Sequence, residues 1–330
     1  MYRLSVFIFA DRYKKVNPIK QVNKIKSVNA IKKINEIKKI NKAKMAMHPT
    51  YTLTISCPDR VGIVAKVSNF LAMYGGWITE ANHHSDLEVQ QFFMRHEIRA
   101  DSLPFGLDAF RTAFSPIAKE YDMQWQISDS QTRKRVVLMC SKEAHCMVDL
   151  LHRWQSGELA CDIPLVISNH QDLQELVEWH GIPFVHVPVR KDNKAEAYAE
   201  IERLIDEAQA DTVVLARYMQ IIPPALCEKY AHQIINIHHS FLPSFAGAKP
   251  YHQAYERGVK LIGATCHYVT EELDAGPIID QDIVRVNHRQ TAADMVRLGR
   301  DVEKAVLARG LMWHLQDRVL VHGNKTVVFN

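Results

Sequence analysis

Residues 212–243 decide the fold and read TVVLARYMQIIPPALCEKYAHQIINIHHSFLP. The runs Thr212–Ala216 and Gln233–Ile237 are short and apolar, which is typical of strands buried in a parallel sheet, and each continues into polar residues. In such sheets ligands bind beyond the carboxyl ends of the strands. The sequence therefore predicts that any chemistry lies at residues 216–220 and 237–243.

Upstream of this stretch, extended and helical patterns alternate, and one long helical pattern follows it. The expected strands are 135–140, 163–168 and 184–187, and the expected helices are 144–154, 171–179, 194–208 and 291–315. This alternation predicts a mostly parallel, Rossmann-like sheet covered by helices. The first strand runs into Ser141-Lys142-Glu143-Ala144-His145, which contains no glycine. That loop therefore cannot form a glycine-rich turn that holds a phosphate, which argues against a nicotinamide cofactor or a ribose phosphate there.

A smaller pattern precedes this one, over about 49–130. Its strands are expected at 51–57, 77–85, 89–99 and 123–128, and its helices at 61–74 and 107–121, in the order β-α-β-β-α-β. That order is typical of a ferredoxin-like fold. Asp59 is expected to cap the first helix, and Gly75-Gly76 to end it. Residues 131–135 are polar and basic, which indicates a linker into the second domain, 131–330.

Charge is distributed unevenly along the chain. Residues 1–46 contain 13 Lys and Arg against Asp11 and Glu36, a net +11, so a chain total of +4 leaves −7 for residues 47–330. An acidic body argues against a nucleic-acid partner, and no apolar run approaches the length of a membrane span. Residues 19–42 repeat every six residues, which predicts a low-complexity, disordered basic tail over 1–48 with the native start at Met45 or Met47 in place of Met1.

The six cysteines form no C-x-x-C pair, so their spacing fits neither a zinc site nor a small disulfide framework. Reduced thiols in a cytoplasmic enzyme are the expected state. The adjacent His83 and His84 lack a third ligand at metal-like spacing, so no metal site is predicted.

Residues that can perform acyl-transfer chemistry cluster in the second domain. Asn236 and His238 are two apart at the end of a strand, so both point to one face, and His267 and Asp274 follow in Gly263–Val269 and Glu271–Pro277. An imidazole, a carboxylate and an amide N–H together supply a base for a nucleophile and donors for an oxyanion. Singly, each residue also fits a structural role, as a turn or cap residue for Asn236 and Asp274 and as a buried histidine for His267.

These segments resemble the folate-dependent formyltransferases over roughly 135–320, and within them the formyltetrahydrofolate deformylases. The resemblance rests on Asn236-x-His238 followed by Ser240-Phe241-Leu242-Pro243, on His267-Tyr268-Val269, and on Glu272–Pro277. The run 245–251 and the order of the two domains resemble the deformylase branch. The resemblance to the deformylases implies hydrolysis of 10-formyltetrahydrofolate to formate and tetrahydrofolate, without a prosthetic group. It also implies a role in one-carbon metabolism and purine biosynthesis. The implied catalytic residues are Asp274, His238 and Asn236, and the implied substrate-binding residues are Arg217, Tyr218, Met219 and His267.

The first domain resembles an ACT domain through Cys57–Val64 and Gly75–Ile78. This resemblance implies a homo-oligomer and an amino-acid effector held near Asp59, Gly62 and Ile63, although Asp59 and Gly62 also fit a purely structural turn. The division of the proton between His238 and Asp274 stays open, as do the effector and the oligomer size.

Three other functions compete with hydrolysis. Formyl transfer to a phosphorylated amine such as glycinamide ribonucleotide would need the missing phosphate loop. Formyl transfer to initiator methionyl-tRNA would need an added basic domain, where this chain has only a short tail, Arg318–Phe329. A non-enzymatic amino-acid sensor would not need Asn236, His238 and Asp274 together.

Overall fold

Two β-sheets and a terminal hairpin form the architecture, and the computed structural model describes residues 49–244 and 250–330. The predicted basic tail, with Met45 and Met47, lies outside the described residues, as do residues 245–249 of the deformylase-like run. Residues Thr50–Asn330 group into one unit.

The first sheet has four antiparallel strands in the order β2-β3-β1-β4, with two helices in the chain order that the sequence predicts. A single 3₁₀ turn, Ala100–Ser102, follows the third strand. The elements are β1 Thr50–Pro58, α1 Ile63–Met73, β2 Ile78–Asp86, β3 Gln91–Arg99, α2 Leu107–Glu120 and β4 Gln124–Asp129.

The predicted cap of α1 is wrong. The N-cap is Gly62, which has φ 96° and makes no side-chain cap hydrogen bond. Asp59 lies three residues before the N-cap, directly after the end of β1. Its backbone N–H donates to the carbonyl of Gln90 at 2.8 Å and so prolongs the pairing of β1 with β3. A left-handed residue is then needed to turn the chain into the helix, and glycine adopts that conformation without a Cβ clash.

Aromatic side chains make the core between the first sheet and its helices. Phe70 of α1 meets Phe114 of α2 edge to face, with ring centroids 5.2 Å apart, and Phe114 meets Trp125 of β4 at 4.8 Å. Such pairs stabilise by about 0.5–1.5 kcal/mol beyond the apolar area that they bury.

The second sheet has seven strands in the order β11-β10-β9-β8-β5-β6-β7. Helices connect its parallel strands, as the alternating pattern predicts, and two short helices were not predicted, at 224–229 and 250–257. The elements are β5 Lys134–Cys140, α3 His145–Ser156, β6 Cys161–Ser168, α4 Gln174–Trp179, β7 Phe184–His186, α5 Lys194–Glu207, β8 Thr212–Leu215, α6 Pro224–Lys229, β9 Ile234–His238, α7 Pro250–Arg257, β10 Leu261–Tyr268, β11 Ile278–Arg285 and α8 Ala292–Leu315.

The predicted mostly parallel sheet is confirmed for β5 to β9, which pair in parallel, whereas β10 and β11 add antiparallel strands at one edge. Both faces of the parallel part are covered, because Val136 and Leu138 belong to one buried cluster and Val137 and Met139 to the other. Strand order reverses at β5, between β6 and β8, so a crevice is expected beyond the carboxyl ends of β5 and β8.

Helix α8 leads into an element that the sequence did not predict. Thr291 caps it through a reciprocal capping box with Asp294, and the helix then runs 24 residues across the sheet. The expected tail beyond it is a two-stranded hairpin, β12 Val319–His322 and β13 Lys325–Val328, turned at Gly323 with φ 56°. A strand of only four residues shows too little alternation of apolar and polar residues to be distinguished from an irregular chain end by sequence.

Polar contacts join the first sheet to the end of α8. Arg95 of β3, almost fully buried, donates to Glu80 of β2 at 2.9 Å and to the carbonyl of Gln316. Asp317 accepts from Ser128 of β4 at 2.6 Å and pairs with Lys134 of β5. The two sheets are therefore linked through residues 316–318. Among the described ranges, no helix has the length and hydropathy needed to cross a membrane.

Candidate active site

A cleft of about 740 Å³ opens beyond the carboxyl ends of β8 and β9, where the sequence places the chemistry. Its size lies within the range usual for small-molecule sites. Every residue that the sequence singled out for catalysis or substrate binding lines it, namely Arg217, Tyr218, Met219, Asn236, His238, His267 and Asp274.

Asp274 reaches His238 from the loop between β10 and β11. Its Oδ2 lies 3.2 Å from Nδ1 of His238, and both side chains are largely buried. Asp274 has φ 56°, a left-handed conformation that aspartate tolerates better than most residues. The loop closes tightly behind it, because a Cβ on Gly276 would lie 1.9 Å from the carbonyl oxygen of Tyr268. Only glycine fits there.

The charge on Asp274 is stabilised by its neighbours. Burial alone raises the pKa of this carboxyl, but the hydrogen bond from His238 and the electrostatic interaction with that imidazole outweigh burial, so its pKa lies below the ordinary 3.8. A carboxylate accepting at Nδ1 leaves Nε2 of His238 as the reactive nitrogen. That Nε2 is buried, lines the cleft and has no hydrogen-bond partner in the described part of the chain.

Asn236 is oriented by His267. The two residues are register partners on β9 and β10, and the Asn236 amide nitrogen lies 3.2 Å from Nε2 of His267. Nδ1 of His267 lies 2.8 Å from the carbonyl of Tyr268 and must donate to it, which leaves Nε2 to accept from the amide. Burial lowers the pKa of His267 and so favours this neutral form. The second amide hydrogen of Asn236 is then available to a ligand.

A buried glutamate anchors one wall of the cleft, and sequence reasoning missed it. Glu303 of α8 is 1% exposed and accepts from Tyr251 and His145, each at 2.7 Å, and Arg217 lies 3.5 Å away. Burial raises its pKa, but His145, Arg217 and Tyr251 outweigh burial and keep it ionised. The available signal was a carboxylate at helical spacing between the buried residues Met295 and Leu307.

The same region contains a set of potential metal ligands. One atom each of His145, Cys146 and Glu303 lie within 4.8 Å of one another. Burial and the charge of Glu303 raise the pKa of the Cys146 thiol well above its ordinary value, so the thiolate that a metal needs is disfavoured. The carboxylate is already shared by His145, Tyr251 and Arg217, and this donor set therefore fits a hydrogen-bonded wall better than a metal site.

The glycine-free first loop has a structural role. Ser141 Oγ donates to Asn169 at 2.6 Å and accepts from the backbone N–H of Met219 at 3.0 Å. It thereby fixes the segment that contains Arg217, which has φ 63°. The residues expected to bind an effector lie apart from this cleft, between the end of β1 and the start of α1, where Gly62 is the N-cap and Ile63 is buried.

Fold and site together define a formyl transferase type of catalytic domain, and the family model described as "Formyl transferase" matches residues 134–311. The formyltetrahydrofolate deformylase of Bacillus subtilis strain 168 is 48% identical over 279 residues, which cover 84% of this chain and 93% of that protein. The crystal structure of a formyltetrahydrofolate deformylase from Pseudomonas syringae pv. tomato superposes with a TM-score of 0.86 at 68% identity, covering 90% of this chain and all of that one. A phosphoribosylglycinamide formyltransferase from Anaplasma phagocytophilum is more distant, with a TM-score of 0.56 at 31% identity over 60% of this chain. The chain belongs to the formyltetrahydrofolate deformylase family.

Proposed function

We propose that this chain hydrolyses 10-formyltetrahydrofolate to formate and tetrahydrofolate. One observation carries the proposal: Asp274, His238 and Asn236 meet in a single cleft of a chain whose close relatives are deformylases. The reaction class is acyl transfer to water, which requires a base, an oxyanion site and a proton for the leaving amine.

The Asp274–His238 pair activates the water. Asp274 is ionised and accepts from Nδ1 of His238, which directs the free Nε2 into the cleft. Water bound between the pair and the formyl group loses a proton to the pair as its oxygen bonds to the formyl carbon. The pair next gives a proton to N10 as the carbon–nitrogen bond breaks. Formic acid and tetrahydrofolate leave, and the pair returns to its starting state.

Asn236 stabilises the tetrahedral intermediate. Its amide is fixed by the neutral His267, so the remaining N–H is set in direction before the substrate arrives. Donors held in this way need no reorganisation when negative charge develops, which is why one such donor contributes about 2.7–4 kcal/mol to lowering a barrier. Protonated His238 supplies a second donor at the same oxygen.

The folate lies against the segment after β8 and the Asp274 loop. This part of the cleft combines an apolar surface, from exposed Met219 and Ile221, with the backbone of residues 217–220. Arg217 Nη1 is buried without a hydrogen-bond partner in the described ranges and can donate to a ligand carbonyl. The donor set needs no prosthetic group for this chemistry.

Water is the proposed acceptor, because the described loop after β5 is bonded within the protein and forms no cradle for a phosphorylated amine. The first loop places Ser141 in bonds to Asn169 and Met219, and Glu303 with its charge faces the same wall. The loop offers no glycine-rich backbone to hold a phosphate, and Glu303 supplies no positive charge in its place. Formyl transfer to glycinamide ribonucleotide is therefore the weaker alternative.

We expect purified protein to release formate and tetrahydrofolate from 10-formyltetrahydrofolate with no added amine. The measurement is formate release over time, with and without glycinamide ribonucleotide. An equal rate in both reactions supports hydrolysis. If 10-formyltetrahydrofolate is consumed only when glycinamide ribonucleotide is present, and no formate is released, the protein is a transferase.

We further propose that residues 49–130 are a regulatory domain of the ACT type and that 131–330 are the catalytic domain. The strand order β2-β3-β1-β4 with two helices, and the tight turn at Gly62, support this division. β2 is an edge strand, which leaves its outer side open to pairing with a second copy. An amino acid held near Asp59, Gly62 and Ile63 is the proposed effector, and a homo-oligomer the proposed assembly.

We expect at least one amino acid to bind and to change kcat or KM. Calorimetric titration with each of the common amino acids, followed by assays in its presence, measures this. Asp59→Ala is the test variant, because Asp59 does not line the catalytic cleft and its loss should weaken effector binding with basal kcat unchanged. Binding unaffected by this change, or no amino acid with any effect, would contradict the proposal.

The proposed compartment is the cytoplasm. All six cysteines are unpaired and buried, which fits a reducing environment. Burial raises the pKa of the Cys140 thiol to about 11, so this thiol stays protonated and unreactive. The proposed physiological role is to balance one-carbon pools and to supply formate for purine biosynthesis.

A further inference from the structure

The terminal hairpin formed by β12 and β13 touches the loop that carries Asp274. The side-chain amide of Asn324 donates to the carbonyl of Ala275 at 2.9 Å, and the hydroxyl of Thr326 donates to the carbonyl of Ile278 at 2.5 Å. These bonds fall on the residue directly after Asp274 and on the first residue of β11. The hairpin therefore holds the loop at both ends of the Ala275–Ile278 segment.

Before Ala275 the loop is held by its own backbone, because the N–H of Ala275 donates to the carbonyl of Glu272 at 3.4 Å. Leu273 is exposed, and Asp274 keeps a left-handed backbone at φ 56°. On its inner side, Gly276 packs against the carbonyl of Tyr268, whose N–H donates to Pro277 at 2.9 Å. A left-handed non-glycine residue persists only where its surroundings fix it. Asn324 and Thr326, which do not line the cleft, add to that constraint.

The hairpin itself is anchored at its base. Arg318 donates to both carboxylate oxygens of Glu80, at 2.9 and 3.0 Å, and to the carbonyl of Phe329 at 2.7 Å. The ring of His322 meets Phe93 of β3 edge to face at 5.7 Å. The first sheet thus holds one side of the hairpin while its tip holds the Asp274 loop, so the hairpin is a fixed support.

We propose that Asn324 and Thr326 are positioning residues that hold the Asp274 carboxylate against His238. This inference rests on the proposed function, in which that contact activates the water. The Oδ2–Nδ1 distance is 3.2 Å, at the outer limit of a hydrogen bond, so a small outward shift of the loop breaks it. A displacement of about 1 Å in a catalytic group can cost about 100-fold in rate.

The test compares Asn324→Ala, Thr326→Val and their combination with two controls. Lys325→Ala changes an exposed residue of the same hairpin, and Thr326→Ser keeps the donating hydroxyl. We expect the double variant to lower kcat by about tenfold or more, with KM within about twofold of the parent. Thr326→Ser and Lys325→Ala should behave as the parent, and the unfolding midpoints should stay close together.

Equal kcat in the double variant and in Lys325→Ala would overturn the inference, as would a fall in kcat explained by a smaller folded fraction. A readout independent of activity is amide hydrogen exchange of peptides covering 270–278. We expect faster exchange in the double variant than in Lys325→Ala. If the parent releases no formate, the proposed function fails, whereas unchanged exchange overturns the positioning role alone.

Discussion

Replacing Asp274 with asparagine is expected to lower kcat by about 10²–10⁴-fold, a range typical for loss of a general base. The change keeps the size of the side chain but removes the charge that accepts from Nδ1 of His238 at 3.2 Å. An asparagine can present its own N–H to that nitrogen and so stabilise the wrong tautomer, with the proton on Nε2. The imidazole then cannot take a proton from water. The loss corresponds to about 3–5 kcal/mol of barrier.

The pKa of Asp274 also predicts how kcat should depend on pH. The pKa of Asp274 is held below its ordinary value of 3.8, mainly by His238 acting against burial, so the carboxylate is charged throughout the neutral range. Activity that depends on its charge is present above that pKa and is lost as pH falls through it. A fall in kcat between pH 7 and 5 therefore belongs to another group.

The measurement is kcat from formate release between pH 5 and 8, with circular dichroism to confirm folding. Asp192→Asn is the matched control, because it makes the same change at an exposed residue that does not line the cleft. We expect the control to match the parent at every pH. If Asp274→Asn keeps kcat within about twofold, the carboxylate has no part in activating water.

The parts of this fold that follow from local pattern were predictable. Buried strands such as Thr212–Leu215 and Ile234–His238 are mostly apolar, and the helix at 292–315 carries its own capping residues. Strand alternation also put Asn236 and His238 on one face, and both line the cleft. These features depend on periodicities of two and 3.6 residues, which sequence displays directly.

Features that depend on tertiary contacts were not predictable. No spacing rule states that a loop 36 residues after His238 returns to it; the residue types made Asp274 a candidate, and the family resemblance selected it. In the sequence, Glu303 resembles an ordinary surface charge on a helix. Its buried position becomes evident only from its contacts with Tyr251, His145 and Arg217 in the fold. The hairpin was taken for a tail because each of its strands has only four residues and draws its stability from the Asp274 loop and the first sheet.

Replacing Asn236 with alanine is expected to lower kcat by about 10²–10³-fold with little change in KM. The amide N–H contributes only when negative charge develops on the formyl oxygen, so its loss weakens the transition state and not the bound substrate. The magnitude corresponds to about 2.7–4 kcal/mol. The measurement is steady-state formate release by the variant and the parent.

Asn236→Asp separates donation from packing, because the carboxylate has nearly the same shape but cannot donate. If the amide N–H is what matters, this variant should be as slow as the alanine variant, and Gln171→Ala, at an exposed amide outside the cleft, should match the parent. The orientation of the amide depends on the neutral His267, which accepts at Nε2 only because Nδ1 donates to Tyr268. Turnover that survives in either Asn236 variant would mean that other donors stabilise the oxyanion. His267 would then have a structural role in the sheet and no role in orienting a catalytic amide.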